Sequence, residues 1–391
     1  MPCRFWGWKT DLPRLIDPRL KAHCMPFQIT KVEARIANYS LHQNRVIITS
    51  LGIHDRSRYL IITLTDELEN QGFGEAATVM IWSGEAAETG LWIVENRITP
   101  LLTGSHFDHP SEILTILDRA LQGNPFLKAS IDIAAWDLWA KRQGKSVASL
   151  IGDREPVESV PTRFSIGAYS VEDTLRLAVE SWEAGIRTLK IKTGVPGLDD
   201  VARLKAVRER LGEEPILTID ANGAYQTEDQ AVAAIEALLP FNLALVEQPT
   251  PRDRIGMMAR VKQRVDVPIL ADESIFTPGE LAEALDCDAM DLLSLYPGKN
   301  GGFTNSLKMA QTAQNAGKYC VIGSNMETDL GQAAMVCLAA SLTAFPVEEY
   351  ASDLMTGMIY TASSTSPALE LNNGRLLTPL GTGFGVEPLH D

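Results

Sequence analysis

Apolar and polar residues repeat with a different period in the two halves of the chain. From Val160 onward, short apolar stretches typical of buried strands begin every 23 to 31 residues, near Val160, Thr188, Pro215, Leu243, Val267, Met290, Lys318 and Glu349. Most of the intervals contain amphipathic helical patterns. Eight strands alternating with helices predict an α/β fold, a TIM-type (β/α)8 barrel whose last helix is short or missing, which is a modified (β/α)7β barrel.

The residues before the barrel have another pattern. Ile29 to Ala37 and Tyr59 to Thr65 are rich in strand-forming residues, and three helical patterns follow between Glu85 and Lys141. These elements predict a small α+β capping domain. We therefore expect four parts: an N-terminal extension over residues 1–26, the capping domain over 27–155, the catalytic barrel over 156–358, and a C-terminal segment over 359–391 that returns to the cap.

One predicted barrel strand, Thr188 to Thr193, carries two lysines separated by a single residue. Side chains alternate between the two faces of a strand, so Lys190 and Lys192 point the same way. Mutual repulsion and burial both lower the pKa of a lysine toward the range in which it can act as a base. We expect carboxylate partners nearby, because a buried pair of ammonium groups is otherwise unfavourable.

Three carboxylates end consecutive predicted strands: Asp220, Glu247 and Asp272. Each alone is explained as a helix cap, but the carboxyl ends of barrel strands meet at one mouth, where three carboxylates repel unless a cation neutralises them. Oxygen ligands favour Mg²⁺, with Mn²⁺ as the alternative. The predicted chemistry is abstraction of the proton α to a substrate carboxylate by Lys192. The cation stabilises the enediolate that forms, and Lys190 lowers the pKa of the base.

Composition limits the partners of the protein. The net charge of −15 argues against nucleic acid and anionic membranes. We see no apolar run suited to a signal peptide or a membrane span, and the five cysteines show no paired or metal-binding spacing. We therefore expect a cytoplasmic protein that acts on a small-molecule carboxylate.

Together these motifs resemble the enolase superfamily, specifically its mandelate racemase and muconate lactonizing enzyme subgroup, over about residues 27–391. The resemblance rests on the Lys-x-Lys strand and on the contexts Ile-Asp-Ala-Asn, Val-Glu-Gln-Pro and Ala-Asp-Glu-Ser. It implies that Lys190 and Lys192 are the catalytic pair, and that the three strand-end carboxylates bind the metal. It also assigns substrate binding to Asn222, Glu273 and Glu327, and it implies a homo-oligomer.

The same resemblance makes the cap loops at residues 44–58 and 76–83 the determinants of substrate specificity. The first of these loops is polar. Its residues and those beside it predict a polar or second anionic group on the substrate, through His42, Arg45, His54 and Arg56.

The chain departs from the subgroup at the sixth predicted strand, where the subgroup carries a lysine in a Lys-x-x-Lys-x-Gly-Gly context. Here Tyr296 occupies the first lysine position and Lys299 the second. Two-base racemisation needs a base on each face of the carbon acid, whereas cycloisomerisation or loss of water needs only one. The departure favours a one-base cycloisomerase or dehydratase that uses Lys192. A packed aromatic side chain at 296 and an exposed loop lysine at 299 are the structural alternatives.

Two other functions remain open at this point. A racemase or epimerase would use Lys299 or Tyr296 as the catalytic group on the opposite face of the substrate. A non-catalytic relative would bind a metal or a carboxylate without turnover, and Lys192→Ala would then leave ligand binding intact.

Overall fold

The computed structural model describes residues 26–42, 45–54 and 57–389. The expected N-terminal extension therefore lies outside the described residues except for its last position, and so do Arg56 and the side chain of His54. Among the described residues, no helix is both long enough and apolar enough to cross a membrane.

The first part of the chain forms a four-stranded antiparallel sheet in the order β5-β4-β1-β6, and β2 pairs with β3 in a separate hairpin. The strands predicted near Ile29 and Tyr59 are confirmed and are somewhat longer than expected. The strands are β1 (Phe27–Tyr39), β2 (Ile47–Thr49), β3 (Gly52–His54), β4 (Ser57–Asp66), β5 (Gln71–Ala76) and β6 (His106–Phe107).

Helices cover one face of this sheet. They are α1 (Met80–Ser83), α2 (Ala87–Ile93), α3 (Thr99–Leu102), α4 (Ser111–Ala120), α5 (Pro125–Arg142) and α6 (Val147–Ile151), with a π-helical turn at Val94–Ile98. Helix α5 is buried along most of its length and packs against β5. The two backbones approach so closely that a Cβ atom at Gly74 would lie 1.9 Å from the Ser130 carbonyl oxygen, so only glycine fits there.

The second part forms a parallel sheet of seven strands that curls into a barrel, in the order β14-β13-β12-β11-β10-β9-β8. The strands are β7 (Ser159–Pro161), β8 (Arg163–Ile166), β9 (Thr188–Lys192), β10 (Ile216–Asp220), β11 (Leu243–Glu247), β12 (Ile269–Ala271), β13 (Leu292–Leu295) and β14 (Tyr319–Ile322). The helices are α7 (Val171–Glu183), α8 (Asp200–Leu211), α9 (Glu228–Leu238), α10 (Ile255–Lys262), α11 (Pro278–Asp286), α12 (Phe303–Asn315) and α13 (Asp329–Ser341), with a 3₁₀ turn at Leu239–Phe241.

The first and last predicted barrel strands differ from the expectation. The strand expected from Val160 is two strands, because β7 pairs antiparallel with a strand of the C-terminal segment and only β8 joins the barrel. The eighth position is a single parallel bridge between Thr162 and Ser352. The Asp353 amide donates to the Ile322 carbonyl at 2.9 Å, so this segment lies between β14 and β8 and closes the barrel.

Several barrel helices begin at a polar N-cap residue, which lies in the loop after the preceding strand. The side chains of Ser170, Asp199 and Thr227 each accept a hydrogen bond from a backbone N–H in the first turn of α7, α8 and α9. Thr277 and Glu280 form a capping box at the start of α11. These caps fix the residue at which each helix begins after its strand.

The register of the central strands brings the polar strand ends to one level. Asp220 pairs with Lys192 on one side and with Glu247 on the other. Because side chains alternate along a strand, Lys190 shares the face of Lys192. Farther down, a small apolar cluster fills the barrel, formed by Leu245, Leu270, Leu292 and Val321. The charged residues therefore lie above an apolar base, at the carboxyl ends of the strands.

The C-terminal segment contacts both parts of the molecule. It contains α14 (Thr356–Ile359), β15 (Thr365–Ser366), β16 (Leu371–Asn372), β17 (Arg375–Leu377) and β18 (Glu387–Pro388). Strand β17 pairs with β7, which immediately precedes the first barrel strand, β8. The Phe384 amide donates to Asp137 of helix α5 at 2.8 Å, and Arg35 of β1 donates to the Leu389 carbonyl at 2.8 Å.

Candidate active site

The two lysines of β9 lie side by side in the barrel, and each is paired with carboxylates. The Lys190 ammonium is 2.7 Å from Asp353 and 3.2 Å from Glu247. The Lys192 ammonium is 2.5 Å from Asp220 and donates to the Asn222 side-chain oxygen at 2.9 Å. Both lysines are buried, and both line the same pocket.

The expected lowering of the lysine pKa is wrong for Lys190. Burial disfavours its charged form, but the carboxylates of Asp353 and Glu247 outweigh burial, and the pKa of Lys190 is raised above its usual value. Lys190 is therefore a permanent cation in this arrangement. It places positive charge beside Lys192 among the residues that line the pocket.

The three strand-end carboxylates predicted from the sequence all line this pocket. Burial would raise the pKa of Asp220, but Lys192 and Lys190 hold it well below its usual range. Burial raises the pKa of Glu247 to about 7, although Arg163 opposes the shift. Asp272 accepts from the Lys299 ammonium at 2.8 Å. Each carboxylate is thus in contact with a cationic side chain.

The donor set suits a hard divalent cation, although within residues 26–42, 45–54 and 57–389 no three such side chains are grouped closely enough to enclose one. The reason is that ammonium groups stand between the carboxylates: Lys190 contacts both Asp220 and Glu247. A buried carboxylate oxygen of Glu273 has no hydrogen-bond partner in the described structure. An unpaired buried acceptor close to the carboxylates of Asp272 and Asp220 fits a site that a cation completes.

Sequence reasoning missed Arg163, which is the first residue of β8 and is fully buried. Its guanidinium donates two hydrogen bonds of 2.9 Å to the two oxygens of Asp353 and also lies 2.9 Å from Glu247. The only signal in the sequence is a charged residue within a predicted barrel strand. Its partner Asp353 lies 190 residues later in the sequence and holds the guanidinium in position.

Gln248 is a second residue that the sequence did not single out. It is buried and has a positive φ of 39°, a left-handed conformation that is strained for a residue other than glycine. Its side-chain oxygen accepts from the amides of Asp272 and Ser274, at 2.9 and 3.2 Å. Gln248 therefore holds the end of β12, and with it Asp272, in position.

The two candidates that follow β13, Tyr296 and Lys299, occupy buried positions. Tyr296 is fully buried, and within the described structure its hydroxyl has no hydrogen-bond partner. Lys299 is also fully buried, so the exposed loop position considered for it is wrong. Its ammonium donates to the carbonyls of Ser294 and Asp272, at 2.5 and 2.9 Å, as well as to the Asp272 side chain. Neither residue lines the pocket.

The remaining predicted residues lie around the same mouth. Asn222, which has a positive φ of 43°, donates to Glu273 at 2.6 Å and so connects that carboxylate with Lys192. Burial and the charge of Asp272 raise the pKa of Glu273 to about 8. Glu327 accepts from the Ser324 hydroxyl at 2.6 Å, and burial raises its pKa to about 7. Only Asn222 of these three lines the pocket directly.

Two models of known families match this chain. The model described as "Mandelate racemase / muconate lactonizing enzyme, N-terminal domain" covers residues 31–152, and the model described as "Enolase C-terminal domain-like" covers residues 173–391, which is more than half of the chain.

The chain belongs to the enolase superfamily. The resemblance that the sequence motifs indicated, to the mandelate racemase and muconate lactonizing enzyme group, is therefore confirmed.

Its relatives in this superfamily are enzymes with different reactions. The chain is 30% identical over 341 residues to a chloromuconate cycloisomerase of Delftia acidovorans, a match that covers 87% of this chain and 91% of that protein. It is 32% identical over 285 residues to an L-Ala-D/L-Glu epimerase of Clostridium acetobutylicum, covering 72% of this chain and 78% of that protein. Sequence likeness thus places the chain among cycloisomerases and epimerases alike.

Solved structures agree with this placement. A dipeptide epimerase of Enterococcus faecalis in complex with Mg and the dipeptide L-Leu-L-Tyr is 28% identical to this enolase-superfamily chain, with a TM-score of 0.85. The match covers 92% of this chain and 99% of that one. The expected fold class, an α/β barrel with an N-terminal capping domain, is confirmed.

Proposed function

We propose that the chain catalyses Mg²⁺-dependent abstraction of the proton α to a substrate carboxylate, with Lys192 as the only base, in a cycloisomerase or dehydratase reaction. The observation that supports this proposal is the asymmetry of the pocket. Lys190 and Lys192 line it from β9, and no other lysine is among the described residues that line it. After β13, Tyr296 occupies the position at which the resemblance predicts the lysine of a second base, and it does not line the pocket.

Asp220, Glu247 and Asp272 would hold the cation. When bound, Mg²⁺ would neutralise the substrate carboxylate and stabilise the second negative charge that appears when the α-proton leaves. Mn²⁺ would suit the same oxygen ligands. The Mg-bound structure of the Enterococcus relative supports this choice of metal.

Lys192, Asn222 and Lys190 have different roles in the transfer of the proton. Lys192 takes the α-proton and returns it to the reacting carbon or to the leaving group on the same face. Asn222 fixes the position of its ammonium through the 2.9 Å hydrogen bond. Lys190 stays charged because Asp353 holds it, and it is placed to donate a hydrogen bond to the substrate carboxylate.

A racemase or epimerase is the second candidate, because epimerases and racemases are among the relatives. Such a reaction needs a proton donor on the other face of the α-carbon. Tyr296 is better suited than Lys299, since its hydroxyl has no partner in the described structure, whereas three oxygens hold the Lys299 ammonium. A non-catalytic binding protein is the weakest candidate, because the named relatives are enzymes.

A screen for α-proton exchange tests the proposal. Carboxylates would be incubated with the protein and Mg²⁺ in deuterated buffer, and loss of the α-proton signal would be followed by ¹H NMR. Lys192→Arg keeps a positive charge beside Asp220 but removes the base, since arginine does not deprotonate. We expect exchange to fall by about 10²- to 10⁴-fold.

The matched control is Lys205→Arg, at an exposed lysine that pairs with Glu209 on helix α8. It should leave exchange unchanged. Undiminished exchange in Lys192→Arg would place the base elsewhere and contradict the proposal.

A further inference from the structure

The pocket has two walls of opposite chemistry. The barrel contributes a charged floor that includes Lys190, Lys192 and the strand-end carboxylates. The cap contributes a roof with no charged residue among its described positions. We call the eight cap residues that line the pocket the cap roof: Ile47, Thr49, Leu51, Gly52, Ile53, Val79, Ile81 and Trp82. All of them except Thr49 and Gly52 have apolar side chains.

The hairpin that forms much of the cap roof is attached to the barrel. The Ser50 hydroxyl at its tip contacts the carbonyls of Ala221 and Asn222, both at 3.1 Å. The Ala168 amide donates to the Ile48 carbonyl at 2.8 Å. These bonds hold the apolar side chains of the hairpin over the floor of the pocket.

The hairpin also packs tightly against the second cap loop. Gly52 has a φ of +145°, and a Cβ atom there would lie 2.2 Å from the side chain of Ile81. Glycine is needed at this position for both reasons. The hairpin and the loop at residues 79–82 therefore form one continuous apolar surface.

Aromatic packing supports the deeper edge of the cap roof. The Trp82 ring stacks on Phe276 with ring centroids 5.3 Å apart and meets Phe126 edge-on at 5.9 Å. Nearer the solvent, Ile53 and Ile81 remain 60% and 57% exposed. Apolar side chains around the mouth of a pocket are typical of a surface that a ligand covers.

Two cationic residues described near the cap roof, Arg45 and Arg58, are engaged in ion pairs. Arg45, expected to bind a second anionic group, pairs with Glu180 and lies over the Phe164 ring at 5.0 Å. Arg58 pairs with Glu88. Neither arginine lines the pocket. A second carboxylate under the cap roof would therefore lose water without gaining a cationic partner from the roof residues themselves, which is unfavourable.

We infer that the substrate carries one carboxylate, held at the floor, and an uncharged apolar group, aliphatic or aromatic, that lies under the cap roof. The inference rests on the proposed function for the position of the carboxylate. The described roof residues disfavour a dicarboxylate, and equally a substrate with a distal ammonium group, as the preferred ligand.

Three probes of equal length test this inference: octanoate, octanedioate and 8-aminooctanoate, which end in a methyl, a carboxylate and an ammonium group. Their binding to the full chain with saturating Mg²⁺ would be measured by calorimetry. We expect octanoate to bind at least about tenfold more tightly than either charged probe, since burying an unpaired charged end costs more than 1.4 kcal/mol. Binding of a charged probe as tight as that of octanoate, or no binding of octanoate, would overturn the inference.

A pair of variants assigns the preference to the cap roof. Ile53→Lys places a cation over the pocket at an exposed position and should shift the ratio of affinities toward octanedioate by at least about tenfold. Leu68→Lys is the control, at a similarly exposed residue in the turn between β4 and β5, and should leave the ratio unchanged. An unchanged ratio in Ile53→Lys would also overturn the inference.

The exchange assay with Lys192→Arg distinguishes this inference from the proposed function. If the variant exchanges as fast as the unmodified chain while octanoate remains the preferred probe, the proposed base is wrong and the apolar preference stands. If exchange falls as proposed but octanedioate binds best, the proposed base stands and the apolar preference is wrong.

Discussion

At the scale of single residues, the barrel interior is a balanced set of charges. Three carboxylates, Asp220, Glu247 and Asp353, face three cationic side chains at distances of 2.5 to 3.3 Å. Arg163 is the least replaceable of the cations, because it alone holds Asp353 through two parallel hydrogen bonds and also contacts Glu247. Without Arg163, the buried carboxylates of Asp353 and Glu247 would share the Lys190 ammonium.

Arg163→Met is therefore expected to destabilise the protein by about 3–5 kcal/mol, the cost of removing one partner of a buried ion pair. Urea unfolding at pH 7 measures this free energy. Adding Asp353→Asn should recover part of the loss, since it removes a carboxylate left unpaired.

Arg176→Met is the matched control, because Arg176 pairs with acidic residues on the surface of α7 and its side chain is 40% exposed. It should cost less than about 1 kcal/mol. Equal losses in the two arginine variants would show that the buried cluster contributes no special stability.

At the scale of elements, helix α5 joins the cap to the barrel and to the C-terminal segment. Asp132 of this helix accepts from the Thr304 amide at 2.7 Å and from its hydroxyl at 2.8 Å, and so caps the barrel helix α12 from outside. One turn later, Asp137 accepts from the amides of Phe73 and Phe384, at 3.0 and 2.8 Å. Two carboxylates of one helix therefore fix the cap against the rest of the molecule.

Asp132 should give the protein a measurable pH dependence of stability. Burial raises the pKa of Asp132 to about 7 from 3.8, although hydrogen bonds from Thr304 oppose the shift. The folded state thus binds a proton that the unfolded state has lost, and the stability from this group falls as the pH rises through 7. In Asp132→Asn this dependence is absent.

Urea unfolding at pH 5 and pH 8 measures the effect. Relative to Asp132→Asn, the unmodified protein should lose on the order of 2 kcal/mol between the two pH values. If the two proteins keep a constant difference in stability, Asp132 does not titrate in this range.

At the scale of the whole molecule, cap and barrel share one continuous apolar core, and the pocket lies between the cap roof and the barrel mouth. Under the proposed function, substrate chemistry and substrate choice are divided between the two parts. The barrel would provide the charges that move a proton, and the cap would provide the surface that selects the rest of the ligand.

Binding of Mg²⁺ at the barrel mouth should stabilise the whole chain. A ligand that binds only the folded state adds about 2.7 kcal/mol at 100 times its dissociation constant. We expect the midpoint of thermal unfolding to rise with added MgCl₂ and to return on chelation. The double variant Asp220→Asn, Glu247→Gln should show no such rise, and a rise equal to that of the unmodified protein would exclude this metal site.

The barrel and the cap strands were predictable from sequence because hydrophobic period is a local property. The division at Val160 was not, since β7 is defined by its pairing with β17, more than 200 residues away. A local hydrophobic pattern cannot show a pairing between segments so far apart in the sequence.

The residue types of the site could be predicted from the sequence, but the direction of the Lys190 pKa shift could not. The strand-end positions of Asp220, Glu247 and Asp272 follow from the β/α repeat, and the pocket brings them together. The pKa of Lys190 was predicted in the wrong direction, because Asp353 approaches it from a segment 163 residues away. The alternative that made Lys299 an exposed loop lysine is wrong, because the turn after β13 folds it inward onto backbone carbonyls.

The central claim is that the α-proton leaves and returns on one face of the substrate, at Lys192. The most direct test is the stereochemistry of exchange: an enantiopure carboxylate that exchanges is incubated with Mg²⁺ in deuterated buffer and analysed by ¹H NMR and chiral chromatography. We predict that deuterium accumulates at the α-carbon with retained configuration, in the unmodified protein and in Tyr296→Phe alike. Inversion of configuration at a rate comparable with exchange, lost in Tyr296→Phe, would contradict the claim.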